Sequence, residues 1–530
     1  MRNHVLNLVY LVVCLMLSNF LIAQTPTIGL QLHQNNAYEG LTLFTPESNN
    51  SVYLINNCGE KIHEWTFNEK PALTCYLLEN GNLLRAGKTY LEIRDWDNIV
   101  VWSFLKSKLD QNQHHDIEPL PNGNVLCVLN DAYSEATMIA LGRDSNLTEP
   151  NFRLDKIVEI KPLGADSAQL VWEWKFIDHL VQDVDSTKAN FGVVSEHPEL
   201  LDVNFDNGYF NDWTHVNAVD YNEDLDQIII SARHLNEIYI IDHSTTTQEA
   251  ASNSGGKSGL GGNFLWRWGN PQVYKQGNAI NQKLFLQHDA KWVEKGYLDE
   301  GKISVFNNGS GQFSSVHLIE PNINNGSYQL TDNQFEPQDF DWTFSGTVFG
   351  ELVNEDKKSG AMGLPNGNFL FCETSKGRIS EIDKLGNLVW SYVNPTGDSI
   401  LNQFQIPASN TLFRGEKYPL DYAGFIGKDL STKGIIENEN TISENCIQSV
   451  GLNELQIESI SINNPITDGT MNFNHLTIAD KLLIYDVNGK IVFEGFNFIG
   501  NQLNIDLKPG FYFLSIWKDN EVNRIKFISL

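Results

Sequence analysis

The chain is short of positive charge: its 530 residues hold 37 Lys and Arg against 66 Asp and Glu, a formal net charge of -29. A protein that coats nucleic acid or an anionic membrane needs a basic face, so neither partner is expected. Past the first 23 residues no apolar run approaches the roughly 18 residues of a spanning helix, and no membrane span is expected once that segment is removed. A Gly-rich loop opening a helix, the cradle of a nucleotide phosphate, is missing too, and no cofactor is expected. Cysteine is sparse, six in all. What the chain does have is globular: 41% hydrophobic residues, 40 Gly and 12 Trp, enough for one large domain and an accessory one.

Residues 1–23 carry Arg2, an apolar run and Ala23, the pattern of a secretory signal cleaved after Ala23. Its removal takes Cys14 and leaves five cysteines, an odd number that excludes full pairing. Cys58 and Cys75 are one candidate pair in an exported protein. In the equally weighted alternative Cys75, Cys127 and Cys372 are buried strand residues.

One short unit recurs: LLENGNLLRAG at 77–87, PLPNGNVLCVL at 119–129, YNEDLDQIIISAR at 221–233, YLDEGKISVFNN at 297–308, GLPNGNFLFCE at 363–373 and a worn IPASNTLFRG at 406–415. Each reads as strand, tight polar turn, strand, because Asn-Gly and Glu-Gly accept the positive φ of a hairpin turn. Several units continue into a second hairpin ending on tryptophan, as at Trp102 and in RISEIDKLGNLVWSYVNP. About six four-stranded antiparallel units between residues 38 and 425 fit an all-β, six-bladed β-propeller, since radial closure protects repeated sheet edges. The strands around Tyr53 to Trp65 are expected to complete the last blade. A solenoid would have shorter, more regular repeats.

Overlaid by their first strands, three units put histidine at one position: His115 in HHDIEPLPNGN, His215 in DWTHVNAV and His288 in QHDAKW. First strands of a propeller line its axis, so these imidazoles converge at one mouth of the channel. Hairpin geometry returns Arg233 to the rim that the chain left at His215. His114, His234, His63 and His179 lack this convergence and are read as structural, with His234 on the face opposite Arg233. Three histidines with an open position suit zinc, but a guanidinium among them repels a metal, and none is expected. Cationic groups around one neutral imidazole suit transfer of an oxyanion such as sulfate or phosphate.

These blocks, their order and the SAR eighteen residues after His215 resemble the bacterial aryl sulfotransferases that take the sulfuryl group directly from phenolic sulfates. The resemblance covers roughly residues 38 to 425. It implies a six-bladed propeller, a phenolic sulfate donor, a phenolic acceptor and a ping-pong route through a sulfohistidine. By motif, His288 is the nucleophile, His115, His215 and Arg233 bind the sulfuryl oxygens, and Asn217 helps to orient the site. Trp213, Trp292, Tyr209 and Phe210 lie near the motifs and serve equally as phenol contacts or as blade packing. The chain departs from better-known members in having no sizeable β-domain before the first repeat. The insertion from about 131 to 212 is a candidate cover for the pocket.

Taken together the divisions are a signal at 1–23, a propeller at 24–425, a polar linker at 426–454 and a small C-terminal β-sandwich at 455–530. The last stretch, with NNP, DVNGK and LKPGFYFLSI, resembles the sorting domain of the type IX secretion system. That resemblance implies a protein exported through the outer membrane, with the secretion machinery as a partner. A carbohydrate-binding sandwich is the competing reading of this segment. For the whole chain the alternatives to a secreted sulfotransferase are a non-catalytic surface propeller binding sulfated or other anionic ligands, and a zinc hydrolase.

Overall fold

The computed structural model describes residues 26–309, 313–438, 446 and 461–529, apart from 463–465, 467–468, 475–477, 487–489 and 519–520. The expected signal at 1–23 and most of 439–454 lie outside the described residues. Two compact units are present, 1–445 and 446–530.

The first unit is built from six antiparallel sheets of four or five strands and several two-stranded ribbons. Their innermost strands are Pro71–Leu77, Gln113–Pro119, Val216–Asn222, His288–Trp292, Gly360–Gly363 and Leu412–Pro419. Each touches the innermost strand of the next sheet, and that of the sixth touches that of the first, so the ring is closed and propeller-like. The sixth sheet joins the two ends of the unit: Leu412–Pro419 pairs with Gly40–Pro46, which continues into Ser51–Ile55 and Lys61–Thr66. Gly29–His33 adds a fifth strand to the fifth sheet.

The repeat is visible bond by bond. In the first, second and fifth sheets the inner hairpin turns through Gly81, Gly123 and Gly367, all at φ between 80° and 84°. Each glycine N–H donates to the leucine three residues before it, Leu78, Leu120 or Leu364, at 2.8–2.9 Å. A side chain there would strain a turn that Asn-Gly makes freely.

Tryptophan fastens one sheet to the next. On the outer strands, Trp65 donates its indole N–H to Asp95 O, Trp102 to Ser167 O, Trp172 to Thr245 Oγ1, Trp266 to Glu336 O, Trp342 to Lys384 O and Trp390 to Asn57 O. That series also runs once around the ring. Each indole buries a large apolar face between sheets while its one polar atom is satisfied.

Cys75, Cys127 and Cys372 are free and buried. The Cys58–Cys75 pair is therefore corrected: Cys58 is disulfide-bonded, but not to Cys75. Residues 433–434 are not a free linker, since Lys433 N–H donates to Lys61 O and Gly434 O accepts from Lys61 N–H. The second unit holds a three-stranded and a four-stranded antiparallel sheet. Its core includes Met471, Phe473, Leu482, Ile484, Leu514 and Ile516. Among the described residues no helix is long and apolar enough to cross a membrane.

Candidate active site

At the start of the inner strands of the second, third and fourth sheets the pairing register slips, between Cys127 and Leu129, between Val216 and Ala218, and between His288 and Lys291. A bulge leaves a residue unpaired and re-aims side chains toward the axis. His115 and His215 take positive φ, 49° and 48°, as does Asp289 at 56°. Such strain in non-glycine residues persists where surrounding bonds hold it, and it clusters at working sites. Here Arg233 N–H donates to His215 O, and Ala361 N–H donates to the Asp289 carboxylate.

The structure brings His115, His215, His288 and Arg233 together. The His115 and His215 rings lie 4.7 Å apart. Besides burial, Arg233 and the His215 ring disfavour a proton on His288, and the rings of His114, His215 and His288 disfavour one on His115. Asn217 is buried and donates to Gln287 O, fixing the residue before His288.

The partners of His288 assign its tautomer. Nδ1 faces two acceptors, Asn308 Oδ1 at 2.7 Å and Leu286 O at 3.1 Å, so it carries the hydrogen. Asn308 cannot flip its amide, because its Nδ2 donates to Glu355 O and Lys358 O. Nε2 is left with the lone pair, which accepts from Lys358 N–H at 3.1 Å. Burial, helped by Arg233 and His215 and opposed by the Asn308 bond, brings His288 down to about 3. At neutral pH it is an uncharged base.

Each of the other groups is held from behind. His215 Nδ1 bonds Asp212 Oδ2 at 2.5 Å. Burial alone would raise Asp212, but the His215 bond and nearby positive charges hold it below the usual carboxylate range. Arg233 donates Nη1–H to His234 Nε2 at 2.7 Å and Nη2–H to Asp356 O at 3.2 Å. His234 donates in turn from Nδ1 to Asp212 O, stacks on Tyr209 at 3.8 Å and is brought down to about 4, chiefly by burial. The expectation that His234 points away is thus corrected. Strand alternation ends at Ala232, and a 3-10 turn over Arg233–Leu235 carries His234 back beside Arg233.

His114 also belongs to the site, against its reading as a structural residue. Its Nδ1 lies 2.7 Å from His115 Nδ1, and its Nε2 bonds Asp155 Oδ1 at 2.8 Å. Beneath the imidazoles Arg414 bonds Asp116, Asp289 and Tyr76, the two carboxylates being the residues that follow His115 and His288. The aspartate in HHD and QHD was the available signal for this clamp; the worn sixth repeat hid its arginine. Of the four aromatics near the motifs only Tyr209 reaches these residues. Trp213 and Trp292 are buried in blade packing, and Phe210 lies against the same core as Trp213. The insertion supplies supports, Asp155 and Asp212.

Residues 34–331 match the family model of the arylsulfotransferases (ASST). That is more than half of the chain and spans every histidine of the cluster. The chain belongs to the arylsulfotransferase (ASST) family. Membership makes it a sulfotransferase acting on small molecules. No curated protein matches it. Among solved structures, a protein of unknown function from Bacteroides caccae is similar at 12% identity over 67% of this chain and 93% of that one, TM-score 0.35. Virginiamycin B lyase from Staphylococcus aureus is similar at 9% identity over 71% and 87%, TM-score 0.34.

Proposed function

We propose that this arylsulfotransferase is secreted and moves a sulfuryl group from a phenolic sulfate ester to a phenolic acceptor in two displacements, through a sulfohistidine on His288. The fixed tautomer of His288 carries the reading: a neutral ring, hydrogen-bonded at Nδ1, with its Nε2 lone pair among cationic and imidazole groups. Nε2 gives up the hydrogen bond from Lys358 N–H and attacks sulfur with the freed lone pair, the N–S bond forms, and the S–O bond to the aryl group breaks with its electron pair on the phenolate. The acceptor oxygen then attacks the same sulfur and the N–S pair returns to Nε2. Sulfuryl transfer, like phosphoryl transfer, needs in-line placement and support of the spectator oxygens more than covalent chemistry. Arg233, His115 and His215 supply that support, and Asn217 keeps Gln287 and so His288 in place. A covalent intermediate lets donor and acceptor bind in turn.

The closed ring of sheets and the circuit of tryptophans support a six-bladed propeller over 24–425, and the two C-terminal sheets support a small β-sandwich. The 1–23 segment, the NNP, DVNGK and LKPGFYFLSI motifs and the disulfide at Cys58 support export through the type IX secretion machinery, since disulfides persist in oxidising compartments.

The test is release of chromophore from 4-nitrophenyl sulfate by the purified mature protein, with and without phenol and in the presence of a chelator. Phenol-dependent release, lost in His288→Ala, is expected, with an alkali-stable sulfuryl adduct on the His288 peptide when donor is given alone. Failure to turn over any of several aryl sulfates would overturn the reading in favour of a propeller that only binds sulfated ligands.

A further inference from the structure

Asp155, His114 and His115 form an unbroken chain. Asp155, on the third strand of the second sheet, is buried, and its Oδ1 bonds His114 Nε2 at 2.8 Å. Its Oδ2 accepts from Thr214 Oγ1 at 2.7 Å and from Val216 N–H at 2.6 Å, the two neighbours of His215. One carboxylate thus anchors His114 and, on either side of His215, the Thr214 hydroxyl and the Val216 backbone. His114 Nδ1 meets His115 Nδ1 at 2.7 Å. Two ring nitrogens so close share one hydrogen, whichever ring bears it. Among the described residues His115 makes this one side-chain hydrogen bond, at Nδ1.

The chain has two states. With no extra proton, His114 Nε2–H donates to Asp155, His115 Nδ1–H donates to His114 Nδ1, and His115 Nε2 bears a lone pair. With one extra proton, His114 becomes an imidazolium paired to the buried carboxylate and donates from Nδ1 to His115, whose Nε2 then carries hydrogen. Burial first, and then His114, His215 of the third sheet, His288 of the fourth and Lys358 before the fifth, hold His115, which lies beside Phe413 of the sixth, well below the ordinary imidazole value. His114 faces the carboxylate.

We infer that Asp155 and His114 are positioning residues that make His115 the proton carrier of the transfer, a role that rests on the sulfotransferase reading above. In the first displacement the charged relay gives its His115 Nε2 proton to the departing phenolate oxygen as the S–O bond breaks, and the His114 Nδ1 proton moves to His115 Nδ1. In the second, the acceptor phenol gives its O–H proton to His115 Nε2 as its oxygen bonds sulfur, and the His115 Nδ1 proton returns to His114. One proton leaves and one arrives per cycle, so the relay ends as it began and no other acid or base is consumed. The same proton decides whether His115 donates to a sulfuryl oxygen or accepts from a phenol.

The deciding comparison uses two donors, 4-nitrophenyl sulfate, whose phenolate leaves unaided, and phenyl sulfate, whose phenolate needs a proton. Positioned acid catalysis contributes on the order of 10²-fold or more, so His114→Gln is expected to lose about that much kcat/KM on phenyl sulfate and at least ten times less on 4-nitrophenyl sulfate. The fall of the wild-type pH profile for phenyl sulfate at high pH, where the relay loses its proton, should also vanish in the variant. Equal losses on both donors, or an unshifted profile, overturn the relay and leave His114 a clamp. Wild-type protein inactive on both donors overturns the sulfotransferase reading itself, a different result from an active wild type with an unselective variant. If His114→Gln does not fold, the wild type decides: a solvent deuterium isotope effect on phenyl sulfate that is absent on 4-nitrophenyl sulfate supports the relay, and equal effects refute it.

Discussion

At the scale of single residues, the site is three imidazoles given different jobs by what stands behind them: an amide behind His288, a carboxylate behind His215, a second imidazole behind His115. Asp212→Asn removes the counter-charge of His215 and leaves Nδ1 free to change tautomer, so kcat/KM for aryl sulfates should fall on the order of 10²-fold. Asp212→Glu should recover part of it; equal activity of Asp212→Asn and wild type would refute the orientation. His288 also marks stability. Its folded value near 3 lies below the ordinary imidazole value near 6.5, so between these limits the unfolded chain binds a proton that the folded chain refuses. Unfolding free energy therefore falls as pH drops, by about 1.4 kcal/mol per unit from this group. In denaturant titrations between about pH 4 and pH 6, within that window, His288→Asn should show a slope flatter by about that amount; identical slopes would mean the imidazole is not held neutral. The three histidines were legible because a repeating strand start puts them in one register. Asp155, Asp212 and Lys358 were not, because they arrive from an insertion and a connecting segment with no shared spacing, whereas Asn308 ends its repeat where Arg233 ends another. His234 was misread because strand alternation was carried one residue past Ala232, into a 3-10 turn.

At the scale of elements, the strain in the inner strands is held by Arg414. Its guanidinium, 5% exposed, lies between Asp116 and Asp289 and bonds Tyr76, tying the sixth sheet to the first, second and fourth. Removing one partner of a buried ion pair leaves charge uncompensated, at about 3–5 kcal/mol. Arg414→Met should lower the unfolding free energy of the propeller-like unit by about that amount. Adding Asp116→Asn and Asp289→Asn should restore a large part, since the uncompensated carboxylates cause the loss. A triple variant no more stable than Arg414→Met would show that the clamp works by shape alone. Asn-Gly turns and terminal tryptophans made the sheets readable. The clamp was not, because a charge network across sheets has no local periodicity.

At the scale of the whole molecule, a substrate anion must approach a chain of net charge -29. Repulsion by distant carboxylates acts over the Debye length, about 30 Å at 0.01 M salt and about 8 Å at 0.15 M, whereas Arg233 and the imidazoles act at hydrogen-bond range. Added salt within that span screens the first before the second. The KM for an anionic aryl sulfate should therefore fall, roughly threefold, across this range, while the KM of a neutral phenol acceptor and kcat stay constant. This opposes the usual loss of affinity that salt causes for an anion on a basic protein. Composition alone discloses the long-range repulsion, and only the fold discloses the cationic cluster at the end of the approach, so the salt series separates the two. A rise in the sulfate KM with salt would mean that attraction by the cluster reaches beyond the protein's own field.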